Sequence, residues 1–186
     1  MLEVIFSLVA VALILYIGSL LFTVVVLVLV ILFILPGVYS MLSGAPFIVT
    51  TKRRIDATMK LGNFKKSDNV VELGCGDGRI INAVANRGVS SAIGYEFSLP
   101  TYFFALFRKF LRQGKEEIRF GNIWAQDYSN VDAVICFLSD KSMERLKKEI
   151  LPQLNKGARI ISNDFKIKGM KEVSELHRVY LYVKNN

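Results

Sequence analysis

Val70-Val71-Glu72-Leu73-Gly74-Cys75-Gly76-Asp77-Gly78 sets a short apolar run directly against a turn with three glycines in five residues. Asn69 to Leu73 has the length and branching of a buried strand. Beyond the turn, Arg79 to Asn86 carries Ile80, Ile81, Val84 and Ala85 at helical spacing and closes at Gly88. Glycines between a strand and a helix permit φ > 0 and let backbone N–H groups approach a ligand with no Cβ in the way. Twenty residues after Gly76, Glu96 follows a second apolar strand, Ala92 to Tyr95. A carboxylate at that place and spacing can accept both hydroxyls of a ribose. The turn therefore reads as the cradle of a nucleotide-type cofactor, the plain alternative being a turn that only reverses the chain.

The alternation continues outward. Thr51 to Leu61 is expected to be a helix with Ile55, Thr58 and Met59 inward. Ser98 and Pro100 open a helix that runs to Gln113 and stops at Gly114. Ile118 to Gly121 reads as the third strand and Val131 to Leu138 as the fourth. Ser139 or Asp140 then caps a helix with Met143, Leu146, Ile150 and Leu154 inside. Ala158 to Ser162 is the fifth strand and Arg178 to Val183 a late one. This order implies an α/β fold of parallel strands with helices on both faces. Its ligand is expected beyond the carboxyl ends of the strands, near the switch point beside the first.

One end of the chain is different. Val4 to Leu35 holds no charged residue in 32 positions, more than the roughly 20 a helix needs to cross a bilayer. A secretory signal has a basic start, an apolar stretch of about 7–15 residues and a small-residue cleavage site; here Glu3 stands at the start and the run is far longer. Residues 1–40 are read as a retained single-pass anchor, ended by Pro36-Gly37, with Ser43-Gly44-Ala45-Pro46 as linker and 41–186 as the catalytic domain. A helical hairpin at Gly18-Ser19 is the alternative, but its arms would be too short to span. Lys52, Arg53 and Arg54 follow the anchor, which places the domain on the cytoplasmic side. The net charge of +8 becomes +9 once Glu3 is left behind, so the domain is expected close to an anionic leaflet. Its Lys and Arg residues are dispersed with no nucleic-acid motif, so no nucleic-acid partner is expected. Cys75 and Cys136 are single thiols in apolar runs, without metal-ligand spacing, so no metal is expected either.

Two cofactor readings compete at the turn. A dinucleotide fingerprint is G-x-G-x-x-G, but Arg79 stands where its third glycine belongs. Glu72, two residues before Gly74, suits a cofactor with a cationic amino-acid tail better than a pyrophosphate. The pattern E-x-G-x-G-x-G resembles motif I of the class I S-adenosylmethionine-dependent methyltransferases. Pro46-Phe47-Ile48-Val49-Thr50, Gly94-Tyr95-Glu96 and Ser162-Asn163-Asp164-Phe165 occur in that order around it. Together they resemble the membrane-associated lysine methyltransferases of the adenine nucleotide translocase and the ATP synthase c-subunit, with their prokaryotic relatives, over roughly residues 44 to 183.

The resemblance implies a Rossmann-like seven-strand methyltransferase sheet with S-adenosylmethionine as cofactor and a membrane-protein lysine as acceptor. A lipid or hydrophobic small-molecule acceptor, or a non-catalytic binding module, are the alternatives. The C-terminal region is short, so the last helix of the fold is expected to be missing and the final strands to form a hairpin. The cofactor would meet Glu72, Gly74, Cys75, Gly76, Asp77, Gly78, Glu96 and Phe97, with Asn122, Ile123 and Trp124 at the adenine. Asn122 stands where the family has Asp, Val49 replaces a proline, Asp140 replaces the proline after the fourth strand, and Lys166 and Lys168 stand where prolines are frequent. Asp140, Asn163 and Asp164, at the ends of the fourth and fifth strands, are the candidates to orient an acceptor amine. Pro46, Phe47 and Thr50 are candidates for the acceptor entrance. His177, the lone histidine, is expected to have no catalytic part.

One helix carries more aromatics than a sheet-facing side needs. Phe103, Leu106, Phe107 and Phe110 suffice to cover the sheet, leaving Tyr102 and Phe104 beside Arg108, Lys109 and Arg112. That composition suits a helix at a bilayer surface, or one buried against another helix.

Overall fold

The computed structural model describes residues 2–43 and 50–185. It divides into two compact units, Met1–Pro36 and Gly37–Asn186. The first unit belongs to α1 (Leu2–Ser43), one unbroken helix. It runs through Gly18-Ser19, which removes the hairpin alternative, and also through Pro36-Gly37, where the sequence reading ends it. Proline removes one backbone hydrogen bond within a helix, and α1 continues past that loss to Ser43. Within α1, Val11–Leu32 is long and apolar enough to cross a membrane, and none of it is buried.

The second unit is built on seven strands: β1 (Asn69–Leu73), β2 (Ser91–Glu96), β3 (Glu117–Phe120), β4 (Ala133–Cys136), β5 (Arg159–Asn163), β6 (Ser174–Leu176) and β7 (Val179–Val183). They lie in the order β3-β2-β1-β4-β5-β7-β6. The first five are parallel, while β7 runs antiparallel to β5 and β6 antiparallel to β7. This is the Rossmann-like arrangement that the resemblance implies. The antiparallel β6–β7 edge is the hairpin expected of the final strands.

The helices are α2 (Lys52–Gly62), α3 (Arg79–Ala85), α4 (Leu99–Arg112) and α5 (Asp140–Glu149). Alternation along the strands feeds two cores. Val70, Ala133, Ile135 and Ile161 face α2, α3 and Ala105 of α4. Val71, Val134, Cys136 and Ile160 face Met143, Leu146 and Ile150 beside α5. Burial on both sides explains why these strands read as continuous apolar runs.

Several boundaries move by one to three residues. β4 is confined to Ala133–Cys136, and α4 ends with Gln113 rather than Gly114 in the left-handed conformation (φ 51°). Between β5 and β6 the chain forms turns and no helix, as the short C-terminal region implied. The late strand does not begin at Arg178: His177 (φ 53°) and Arg178 (φ 63°) form the tight turn between β6 and β7. Positive φ at both central positions gives the twist that a two-residue hairpin needs.

The face of α4 is a larger correction. The sequence reading puts Phe103, Phe107 and Phe110 on the sheet. In the structure Ala105 is fully buried and Tyr102 and Leu106 pack partly against the core, while Phe103, Phe104, Phe107, Phe110 and Leu111 face outward. Tyr102 thus points inward, contrary to expectation. The cause is ionic. Glu116, fully buried, is bound by Arg112 and by Asn82 (2.8 Å), so the polar side of α4 must turn toward the protein.

Candidate active site

Gly74, Gly76 and Gly78 adopt φ of 69°, 57° and 72°, a conformation that side chains strongly disfavour. Each position therefore needs glycine for the chain to pass from β1 to α3 in so few residues. A Cβ on Gly74 would meet nothing within 4 Å, so the backbone there borders open space. At Gly78 the reverse holds: a Cβ would stand 2.9 Å from Arg112 Nη2 and 3.0 Å from Ile118 Cδ1. Gly94 is equally constrained, because a Cβ would come within 2.7 Å of the Cys75 side chain.

The acids around the turn hold it in shape. Glu96 sits at the carboxyl end of β2, next to β1, and accepts the Gly76 N–H at 3.0 Å through one oxygen. Its other oxygen accepts the N–H groups of Phe97 (2.9 Å) and Ser98 (2.8 Å), which fixes the start of α4. Burial raises its carboxyl above the ordinary range, against the pull of these three bonds. Glu72 is buried beneath α3 and accepts the Ile81 N–H at 2.9 Å; burial pushes its carboxyl well up. Burial likewise raises the Cys75 thiol, with Glu72 and Glu96 adding to the effect, so the thiol stays protonated and packs against Gly94. Burial would also raise Asp77, but Arg79, bonded at 2.6–3.0 Å, and Arg108 at 3.4 Å more than offset it and hold this carboxyl low.

Two residues of α4 and one before α2 brace the same turn. Arg112 donates to the carbonyls of Asp77 (3.4 Å) and Gly78 (2.9 Å). Arg79 donates to the Thr50 carbonyl at 3.1 Å, which brings buried Thr50 to the glycine turn. Pro46 and Phe47 lie outside the described residues. After β3, Asn122 is exposed and its Oδ1 accepts the Trp124 N–H at 3.0 Å, capping a 3₁₀ turn, Ile123–Ala125. Trp124 packs partly on the core, with the Arg145 guanidinium 4.3 Å from its ring centre.

A second cluster stands at the ends of β4 and β5. Asp164 (φ 72°) accepts from Arg54 Nη1 at 3.3 Å and Nη2 at 3.1 Å, and is paired with Arg178 as well. Arg54 also lies 5.8 Å over the Phe137 ring, which tilts against Phe165 at 6.2 Å. Asn163, fully buried, donates to Thr58 Oγ1 at 3.5 Å, and its Oδ1 has no partner among the described residues. Asp140 is exposed in the first turn of α5, and Ser139 occupies the cap position. The switch-point geometry thus gathers the turn, Glu96 and Asn122 on one side of β1 and Phe137, Asn163 and Asp164 on the other. Sequence reasoning missed Arg54, Arg108, Arg112, Phe137 and Arg178. Only the basic residues on α4 gave a local signal, and it was read as facing outward.

The family model of the ANTKMT methyltransferase domain matches residues 72–174, beginning at the first acid of the turn. A protein-lysine N-methyltransferase of Saccharolobus islandicus (strain REY15A) is 32% identical over 155 residues, 77% of this chain and 96% of that protein. A lysine N-methyltransferase of the ATP synthase c-subunit, from Rattus norvegicus, is 27% identical over 122 residues, 64% of this chain and 56% of that protein. Among solved structures, an RNA methyltransferase from Salinibacter ruber in complex with S-adenosyl-L-homocysteine is alike in fold. Its TM-score is 0.67 at 24% identity, over 74% of this chain and 94% of that one. The chain therefore belongs to the ANTKMT methyltransferase family and is an S-adenosylmethionine-dependent methyltransferase.

Proposed function

We propose that the chain is a protein-lysine N-methyltransferase held at a membrane, with residues 1–40 as single-pass anchor and 41–186 as catalytic domain on the cytoplasmic side. The lysine acceptor is supported by the 32% identity to the Saccharolobus islandicus protein-lysine N-methyltransferase over nearly all of its length. The anchor is supported by the 22-residue, predominantly apolar stretch Val11–Leu32, about the length that spans a bilayer. Its orientation follows from Glu3 before it and Lys52, Arg53 and Arg54 after it.

Open space beside Gly74 and the left-handed backbone of the turn fit a ligand that meets main chain rather than side chain. Gly74, Cys75, Gly76, Asp77 and Gly78 form that cradle, with Glu72 supporting it from beneath. Glu96, whose oxygens keep lone pairs beyond the three N–H bonds, accepts the ribose hydroxyls. Asn122 offers the second lone pair of Oδ1 to the adenine amino group, and Phe97, Ile123 and Trp124 supply apolar walls. S-adenosylmethionine, when bound, supplies a methyl group already activated by its sulfonium, so the protein's tasks are alignment and exclusion of water.

A lysine amine must be neutral to offer its lone pair. Arg54, Arg178 and Asp164 together carry a net charge of +1, and a positive surrounding lowers the pKa of an arriving ammonium. The Asp164 carboxylate and the unpartnered Asn163 Oδ1 are acceptors for the amine N–H groups at the end of β5. Asp140, exposed at the start of α5, is a further candidate to orient the amine, and Thr50 is the candidate for the entrance. Incubating the full chain with membranes and tritiated methyl donor tests the acceptor. Label recovered as methyl-lysine after protein hydrolysis is expected; label that partitions wholly into the lipid extract contradicts the reading.

A further inference from the structure

Phe103, Phe104, Phe107, Phe110 and Leu111 on α4 are 53%, 46%, 58%, 78% and 64% exposed. They recur at three- and four-residue spacing, so they share one side of the helix. Phe120 at the end of β3, 45% exposed, extends the patch and stacks 5.8 Å from Phe97. A surface helix of a soluble protein turns its apolar side inward, whereas α4 buries the Arg112 guanidinium side and presents its phenylalanines. Contiguous apolar surface of this kind marks an interaction site.

The border of the patch says what it meets. Arg108 lies over the Phe104 ring, and exposed Lys115 follows the end of the helix. The domain as a whole carries +9. Aromatic rings rimmed by Lys and Arg suit the boundary between anionic headgroups and acyl chains. The eight residues between Ser43 of α1 and Lys52 of α2 reach at most about 30 Å, so an embedded α1 keeps the domain within touching distance of the bilayer.

We propose that the outward face of α4 is a docking surface for an anionic lipid bilayer. The proposal rests on the membrane location argued above but adds a second attachment. A single spanning helix leaves the domain free to turn on its tether, whereas an inserted α4 fixes its orientation. Because Arg108 and Arg112 of the same helix hold Asp77 and the carbonyls of Asp77 and Gly78, docking also fixes the cofactor turn relative to the bilayer. An acceptor lysine close to the headgroups would then meet a site already oriented.

The test uses the full chain reconstituted in phosphatidylcholine vesicles with and without phosphatidylglycerol, carrying bromine on the acyl chains. Phe107→Trp supplies a reporter, read over the Trp124 signal of the parent, and Phe110→Trp is a second reporter should the first disturb folding. Expected is about twofold or greater quenching of the added tryptophan, stronger with phosphatidylglycerol. Quenching no greater than the parent's at both positions overturns docking; if light scattering then shows a dimer, a second copy covers the face instead. Alkaline extraction of the same vesicles reads α1 separately. A chain that resists extraction with unquenched reporters keeps the anchor and loses docking. A chain that is extracted yet quenched before extraction keeps docking and loses the anchor.

Discussion

At Gly78 two independent constraints meet: a left-handed φ of 72° and an Arg112 nitrogen 2.9 Å from where a Cβ would stand. Gly78→Ala is expected to destabilise the domain by about 1–2 kcal/mol from backbone strain alone, with further loss where Arg112 is displaced from Glu116. Equilibrium urea unfolding measures it. Asp164→Asn separates the two halves of the site. It should lower kcat/KM for the acceptor by about ten- to hundredfold, the worth of a charged hydrogen bond, and leave cofactor affinity unchanged; steady-state kinetics with calorimetry reads both. Glu72 gives the pH signature. Its folded carboxyl is raised above the ordinary value near 4.3, so the folded state binds the proton more tightly than the unfolded chain. Stability contributed this way is present below about pH 4.3 and is lost as pH rises toward the folded pKa. Glu72→Gln keeps an acceptor for Ile81 and cannot ionise. Its stability relative to the parent should therefore rise as pH is raised above about 4.3 toward the folded pKa, and a flat difference would contradict burial as the cause.

At the scale of elements, the β6–β7 hairpin carries its own prediction. His177 occupies a left-handed position better suited to Asn, so His177→Asn should stabilise the domain by up to about 1 kcal/mol, visible as a melting temperature higher by a few degrees. The same turn shows why part of the fold was hidden in the sequence. A two-residue hairpin is signalled by Asn-Gly or Asp-Gly; His177-Arg178 gives no such sign, and β6 is three residues long. By contrast β1, the glycine turn and α3 were legible to within a residue, because a doubly buried strand, a glycine-rich turn and helical spacing are all local features. Glu96 was legible through spacing alone. Arg54, Arg112 and Arg178 were not, since their partners lie far away along the chain or in turns whose direction only the folded sheet sets. The face of α4 misled for a related reason. Apolar periodicity identifies a one-sided helix, but it does not state whether that side meets a core or a bilayer.

For the whole molecule, the fold gathers the glycine turn, the Glu96 carboxylate and the Arg54–Asp164–Arg178 cluster at one end of a sheet whose strand order changes direction beside β1. Glu96 is held by three N–H groups, and Arg79 and Arg112 brace the turn, so a cofactor seated there is expected to meet a formed site. Calorimetric titration of the full chain in detergent with S-adenosylmethionine tests that most directly. One saturable site is expected, weakened about tenfold or more by Glu96→Ala, which removes a charged acceptor of hydroxyl bonds. No heat from the parent chain, or unchanged affinity in Glu96→Ala, would contradict a cofactor seated at the turn from Glu72 to Gly78.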